Sequence, residues 1–226
     1  NIFLGQVEAP LTVRPYIARM NRFELLVLMT AGMATIAGSV MVIYAAMLGT
    51  AFQGVLGHLI TKWIVSVPAA ILFAHLMLPD ATEQDHGDSE PPRIYESTMD
   101  AITRGTSDGL NIYLSILAIL IVLIAFVALV NGAIGALPSV GGLPLTLERV
   151  TGWIFAPLAW LMGIPWREAL TSGSLLGIKT VLNEFIAYLE LAKVPADVLS
   201  ERSRLITIYG LCGFANFASI GIQVSG

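Results

Sequence analysis

Between Leu25 and Gly57 the chain carries no charged residue. That run exceeds the roughly 20 residues needed to cross about 30 Å of hydrocarbon, and Gly49, Gly54 and Gly57 offer a turn toward its end. A first span is therefore expected near 25–48 and a second over about 52–79, interrupted by Lys62 and Pro68 and closed by Pro79. Lys62 lies far enough toward one end to snorkel to water, and a proline is tolerable in a membrane helix. Composition agrees. Hydrophobic residues make up 56% and charged residues 12%, whereas a soluble domain clothes itself with about 25% charge. Lipid must cover much of this surface.

The formal charge of −4 is concentrated in one place. Residues 80–108 hold eight acids against Arg93 and Arg104, a local −6, and the rest of the chain is +2. The acidity belongs to a loop, and no basic patch suits nucleic acid. The single cysteine, Cys212, excludes an internal disulfide framework. The chain opens at Asn1 without a basic, cleavable leader and stops at Gly226 inside an apolar run, which reads as a portion of a larger membrane protein.

Four regions follow from the pattern. Residues 1–79 hold a short polar-tipped segment and the first two spans. Residues 80–109 combine a solvated acidic linker with an amphipathic stretch, Ile94–Gly105, expected to lie along the interface. Residues 110–136 form a conventional spanning helix whose centre, Ser115–Leu129, carries no functional polar group. Residues 137–226 hold an interfacial helix with Trp153 and Trp160, an apolar segment bearing Lys179, Asn183 and Glu184, and an uncharged glycine-containing stretch from Leu205. The distribution of basic residues is too even to orient the spans.

An internal repeat underlies the polar positions. Gly32-Met33-Ala34-Thr35-Ile36-Ala37-Gly38 overlays Gly213-Phe214-Ala215-Asn216-Phe217-Ala218-Ser219, and each copy follows a carboxylate in apolar surroundings, Glu8 and Glu184. A helix interrupted at such residues exposes main-chain polar groups, tolerable only against protein or a water-filled cavity. Paired interruptions in two halves point to a substrate site at the midplane of a secondary transporter, and here to an inverted repeat. A central carboxylate costs roughly 2.5–3.5 kcal/mol on insertion scales, a cost normally kept for function; a glutamate at the interface would instead reach water. Asn216 and Ser219, three residues apart, share a face if helical and could also serve as hydrogen-bonding glue. Lys179 reads as a salt-bridge partner within a hairpin. His58 and His75 read as interfacial or packing residues. His-Glu-x-x-His, Gly-x-Ser-x-Gly and phosphate-loop motifs are absent from the sequence, so no enzyme is expected.

At these residues the sequence resembles the concentrative nucleoside transporter family, its bacterial sodium-coupled members in particular. The similar stretches include Gly5-Gln6-Val7-Glu8-Ala9-Pro10, Ala34-Thr35-Ile36-Ala37-Gly38-Ser39, Leu129-Val130-Asn131-Gly132, Leu161-Met162-Gly163-Ile164-Pro165-Trp166, Lys179-Thr180-Val181-Leu182-Asn183-Glu184-Phe185 and Gly213-Phe214-Ala215-Asn216-Phe217. They run through nearly the whole chain in family order. The resemblance implies an all-α integral membrane protein with an inverted repeat of two re-entrant helical hairpins and two broken transmembrane helices. It further implies a homotrimeric, multi-pass protein of the plasma (inner) membrane that moves uridine-like nucleosides inward with Na+ by alternating access.

By the same resemblance Gln6 and Glu8 face the nucleobase with Val40 packing against it. Glu184, Asn216 and Ser219 hold the ribose hydroxyls, and Phe214 lines the sugar side. Sodium meets the Asn1 side chain, the Leu4 carbonyl, the Thr35 hydroxyl and the Ile36 carbonyl. Val7 and Ala218 depart from hydroxyl residues frequent in the family, which leaves the base preference open. Proton coupling is the alternative to Na+, and a transporter of another small polar substrate is the alternative to nucleoside transport.

Overall fold

The computed structural model of the protein describes residues 8–17, 19–49, 52, 54–79, 95–142 and 144–220, with side chains from Thr12 onward. Among the described residues there are nine helices of ten residues or more and no β-strand: α1 (Glu8–Ile17), α2 (Arg22–Ala34), α3 (Gly38–Leu48), α4 (Val55–Met77), α5 (Thr98–Gly135), α6 (Leu147–Leu161), α7 (Trp166–Val181), α8 (Glu184–Lys193) and α9 (Glu201–Leu211). Three stretches are long and apolar enough to cross a membrane: Arg22–Leu48, which combines α2 and α3, then α4 and α5.

The first span begins with a capping box. Asn21 Oδ1 accepts from the Glu24 amide at 2.8 Å, and the Asn21 amide donates to Glu24 Oε2 at 2.9 Å, so two donors that the helix start leaves orphaned are satisfied. The span then breaks. α2 ends at Ala34, Thr35 and Ala37 are extended, and α3 restarts at Gly38. Thr35 and Ile36 are β-branched and yield the helical conformation more readily than leucine or alanine. The Thr35 hydroxyl donates back to Ala31 O at 2.8 Å.

α5 differs from the sequence expectation. The amphipathic stretch and the apolar stretch form one unbroken helix of 38 residues from Thr98 to Gly135, about 57 Å long at 1.5 Å per residue. Gly105 and Gly109 cost some propensity but add no steric break. Ser97 caps the start by accepting from the Asp100 amide at 3.1 Å. The first turns carry the Arg104–Asp100 pair at 2.7 Å, and Arg14 of α1 meets Asp108 at 3.1 Å. Both pairs are exposed and each contributes at most about 1 kcal/mol. Near the other end, Asn131 accepts from the Leu147 amide at 2.7 Å and donates to Glu148, so α5 caps the start of α6.

α6 and α7 pack through missing side chains. Gly173 and Gly177 of α7 lie one turn apart. A Cβ on Gly173 would sit 2.6 Å from Gly152 O and 2.7 Å from the Ala156 amide nitrogen; one on Gly177 would collide with the Thr151 hydroxyl. This is the small-xxx-small contact of membrane helices, where close backbone approach replaces the hydrophobic drive that lipid removes. α7 reverses into α8 across Leu182 and Asn183, where Asn183 Oδ1 accepts from the Ile186 amide at 2.9 Å. α9 is tied back to this hairpin. Glu168 accepts from Ser200 N and Oγ, Ser172 meets Thr207 at 2.9 Å, and Arg204 donates to Val194 O and Pro195 O. The core gathers α3, α4, α6, α7, α8 and α9 around Tyr44, Leu48, Leu59, Tyr188, Leu191 and Leu211.

Gly173→Val should wedge α6 from α7 and lower the melting temperature of the complete protein by the equivalent of about 1–3 kcal/mol. An unchanged melting temperature would show that the two helices separate at no cost.

Candidate functional site

Two interrupted helices supply the frame. The first interruption covers residues 35–37; the second follows α9, covers 212–216, and gives way to helix again over 217–220. Both lie within the repeated heptapeptides apart from Cys212, but in the overlay they share only the pair Thr35 and Asn216. The two interruptions touch. Gly213 has φ +150°, and a Cβ there would lie 3.0 Å from Met33 O and 3.1 Å from Ala34 O. Both the dihedral and the contact reserve the position for glycine.

At this junction sits a buried carboxylate. Glu184 is the first residue of α8 and is 6% exposed. Its Oε1 accepts from the Tyr44 hydroxyl at 2.9 Å, and its Oε2 accepts from Asn216 Nδ2 at 3.1 Å. Three distant stretches therefore converge: α3, the start of α8 and the second interruption. The amide assignment of Asn216 follows from its other end, where Oδ1 accepts from the Ser219 amide at 2.8 Å and caps the returning helix. Asn216 and Ser219 are thus a cap and its third helical residue rather than two projections from a continuous helix face. Both are buried. The carboxylate also lies at the positive end of the α8 dipole, which favours its charge.

Tyr44 is the residue that sequence reasoning missed. Its ring lies 4.6 Å from that of Tyr188, whose hydroxyl donates to Ile208 O at 2.9 Å. Glu184, Tyr188 and Leu191 form the buried face of α8 against α3 and α9. The available signal was a phenol in an uncharged span, one turn beyond Val40. Val40 and Phe214 are partly buried and pack against the common core cluster.

Thr35 and Ile36 are both buried at the first interruption. The last backbone bond of α2 runs from Thr35 N to Ala31 O, and that of Met41 reaches Ala37 O. The Ile36 carbonyl therefore lies outside either helix ladder. A hydroxyl and a free carbonyl are hard oxygen donors that suit a small alkali cation, and unwound carbonyls are the usual ligands for one. Gln6, Asn1 and Leu4 lie outside the described residues, as does the side chain of Glu8, whose backbone begins α1.

Two lysines depart from expectation. Lys62 turns inward rather than toward the interface and donates to Ala34 O at 2.5 Å. Among the described residues Lys179 makes no ion pair within 4 Å, although Glu184 lies within electrostatic reach; it is buried and donates to Gly210 O at 2.9 Å. Each ammonium thereby satisfies a carbonyl that an interrupted helix leaves without an amide partner.

A family model described as "Na+ dependent nucleoside transporter C-terminus" matches residues 58–226. An uncharacterized transporter of Haemophilus influenzae is 43% identical over all of this chain and 55% of its own length. The nucleoside permease NupC of Helicobacter pylori is 36% identical over all of this chain and 54% of its own. The structure of CNTnw in an inward-facing substrate-bound state is 40% identical with a TM-score of 0.76, covering 99% of this chain and 53% of that one. CNTnw in an intermediate 2 state gives 42% and 0.83, covering 100% and 55%. The chain spans about half the length of these relatives. Helical in the regular structure of its described residues, with two interruptions packed together, and similar to these transporters along its whole length, the chain is a carboxy-terminal portion of a protein of the concentrative nucleoside transporter family.

Proposed function

We propose that the complete protein is a sodium-coupled symporter that carries nucleosides inward across the plasma (inner) membrane, and that Glu184 is its ribose acceptor. The observation behind this reading is the bonding of the Glu184 carboxylate. A carboxylate has about four lone-pair positions on two oxygens. Tyr44 occupies one on Oε1, Asn216 one on Oε2, and the backbone amide of Glu184 is a third donor to the carboxylate, so a position remains for a further donor. A ribose hydroxyl matches that demand. A site built to bond hydroxyls rejects an analogue lacking one, because the buried polar group is then left unpaired.

The remaining residues take the roles that the family pattern gives them. Asn216 and Ser219 flank the sugar, Phe214 lines it, and Val40 with Gln6 and Glu8 meets the base. Thr35 and Ile36 offer half of a sodium site, with Asn1 and Leu4 as the other half. Sodium is cargo here, and its binding joins the amino-terminal segment to the first interruption. Coupling requires that ion and nucleoside both favour the same conformation. A homotrimer would provide the scaffold, with the long, largely exposed α5 at its centre. Proton coupling is the second reading; Thr35 favours sodium, since a hydroxyl coordinates an alkali ion and does not titrate in the physiological range.

Uptake of radiolabelled uridine by the complete protein in vesicles should rise with an inward Na+ gradient, and Glu184→Gln or Asn216→Ala should abolish it while the protein stays in the membrane. Uptake that ignores Na+ but follows a proton gradient would replace the coupling ion; unchanged uptake in either variant would remove the assigned site. Tyr44→Phe should weaken nucleoside affinity about 10-fold or more, since a hydrogen bond to a charged group contributes about 1.5–3 kcal/mol. Wild-type affinity in that variant would show that the carboxylate needs no orienting donor.

A further inference from the structure

Lys62 stands eight residues into α4, about 10 Å along its axis. It is half-buried, and its ammonium is directed into the crossing of the two interruptions. There it meets Ala34 O at 2.5 Å and lies 3.2 Å from where a Cβ of Gly213 would sit, beside Cys212. Met33 O and Ala34 O are carbonyls that the end of α2 leaves outside its ladder, and both face Gly213. Among the described residues no carboxylate pairs with Lys62; Lys179 from α7 is a like charge within electrostatic reach, and Glu184 from α8 lies within reach of Lys179. The charge is thus held by main-chain dipoles at the negative end of a half-helix. Carbonyls at such an end are the surroundings in which transporters bind small cations.

We infer that Lys62 is a resident cation: its ammonium fills a cation position at the crossing of the helix interruptions, built on the Ala34 carbonyl rather than on Thr35 and Ile36. The chain therefore draws one fewer ion from solution than it would without this lysine. The stoichiometric consequence rests on the transport reading above. The occupancy itself does not, because it concerns only what neutralises the end of α2.

The test uses the purified complete protein and its melting temperature, in NaCl, in methylammonium chloride and in choline chloride at equal ionic strength. Lys62→Ala vacates the position and leaves its carbonyls. It should melt several degrees lower than wild type in choline and regain most of the loss in Na+ or methylammonium. Lys62→Met fills the space without a charge and should melt lower in all three salts with no regain. In vesicles, Lys62→Ala should show a steeper Na+ dependence of uptake, with one additional sodium per nucleoside. A Lys62→Ala protein whose melting ignores the cation, or a Lys62→Met protein equal to wild type, overturns the inference. Where Lys62→Ala does not accumulate, Lys62→Arg against Lys62→Met decides: wild-type melting in the arginine variant alone supports a resident charge, and equal behaviour of the two overturns it. Failure of wild-type uridine uptake would remove the transport reading and leave the melting result standing.

Discussion

Main chain that leaves a helix at membrane depth must find partners inside the protein, because hydrocarbon offers none. Among the described residues the chain breaks off and resumes a helix at 35–37 and again at 212–216, and the two departures are solved together. The Gly213 backbone lies against the carbonyl end of α2. Lys62 reaches from α4 to Ala34 O, and Lys179 reaches from α7 to Gly210 O. Asn216 caps the returning helix. The hairpin α7–α8, the glycine-lined contact of α7 with α6, and the ties from α9 to both hairpin ends all serve to hold these groups at one junction.

The same junction makes a buried carboxylate tolerable. Leaving Glu184 unpaired away from water would cost several kcal/mol. Tyr44 and Asn216 each give it a donor, and the α8 amino terminus gives it a favourable field. The pairing is still incomplete: with the backbone amide of Glu184 as a third donor, the carboxylate keeps a position to accept another. A buried group held by rigid partners and still able to accept a hydrogen bond is what the proposed ribose contact requires.

Much of the architecture was legible because membrane insertion writes it in simple terms. Charge-free runs located the spans, and repeated glycine, alanine and amide residues located the interruptions. Glu184 and Asn216 could be named because carboxylates and amides are conspicuous in such runs. The less legible features were tertiary. Whether Lys62 snorkels or turns inward depends on whether an orphan carbonyl lies within its reach, and Ala34 O is 28 residues away in sequence. Tyr44 looks like any aromatic in a span until α8 brings a carboxylate to it across 140 residues. The continuity of α5 was hidden for another reason: amphipathic and apolar patterns differ in composition, yet nothing between Gly105 and Gly109 forces the chain to bend.

The central claim is that the Glu184 carboxylate receives a ribose hydroxyl at the meeting of the two interruptions. A calorimetric cycle on the purified complete protein tests it most directly, pairing uridine and 2′,3′-dideoxyuridine with the wild type and Glu184→Gln. Loss of the hydroxyls should weaken binding at least about 10-fold in wild type, as one lost bond to a charged group implies, and far less in the variant. Equal losses in both proteins would place the hydroxyls elsewhere and contradict it.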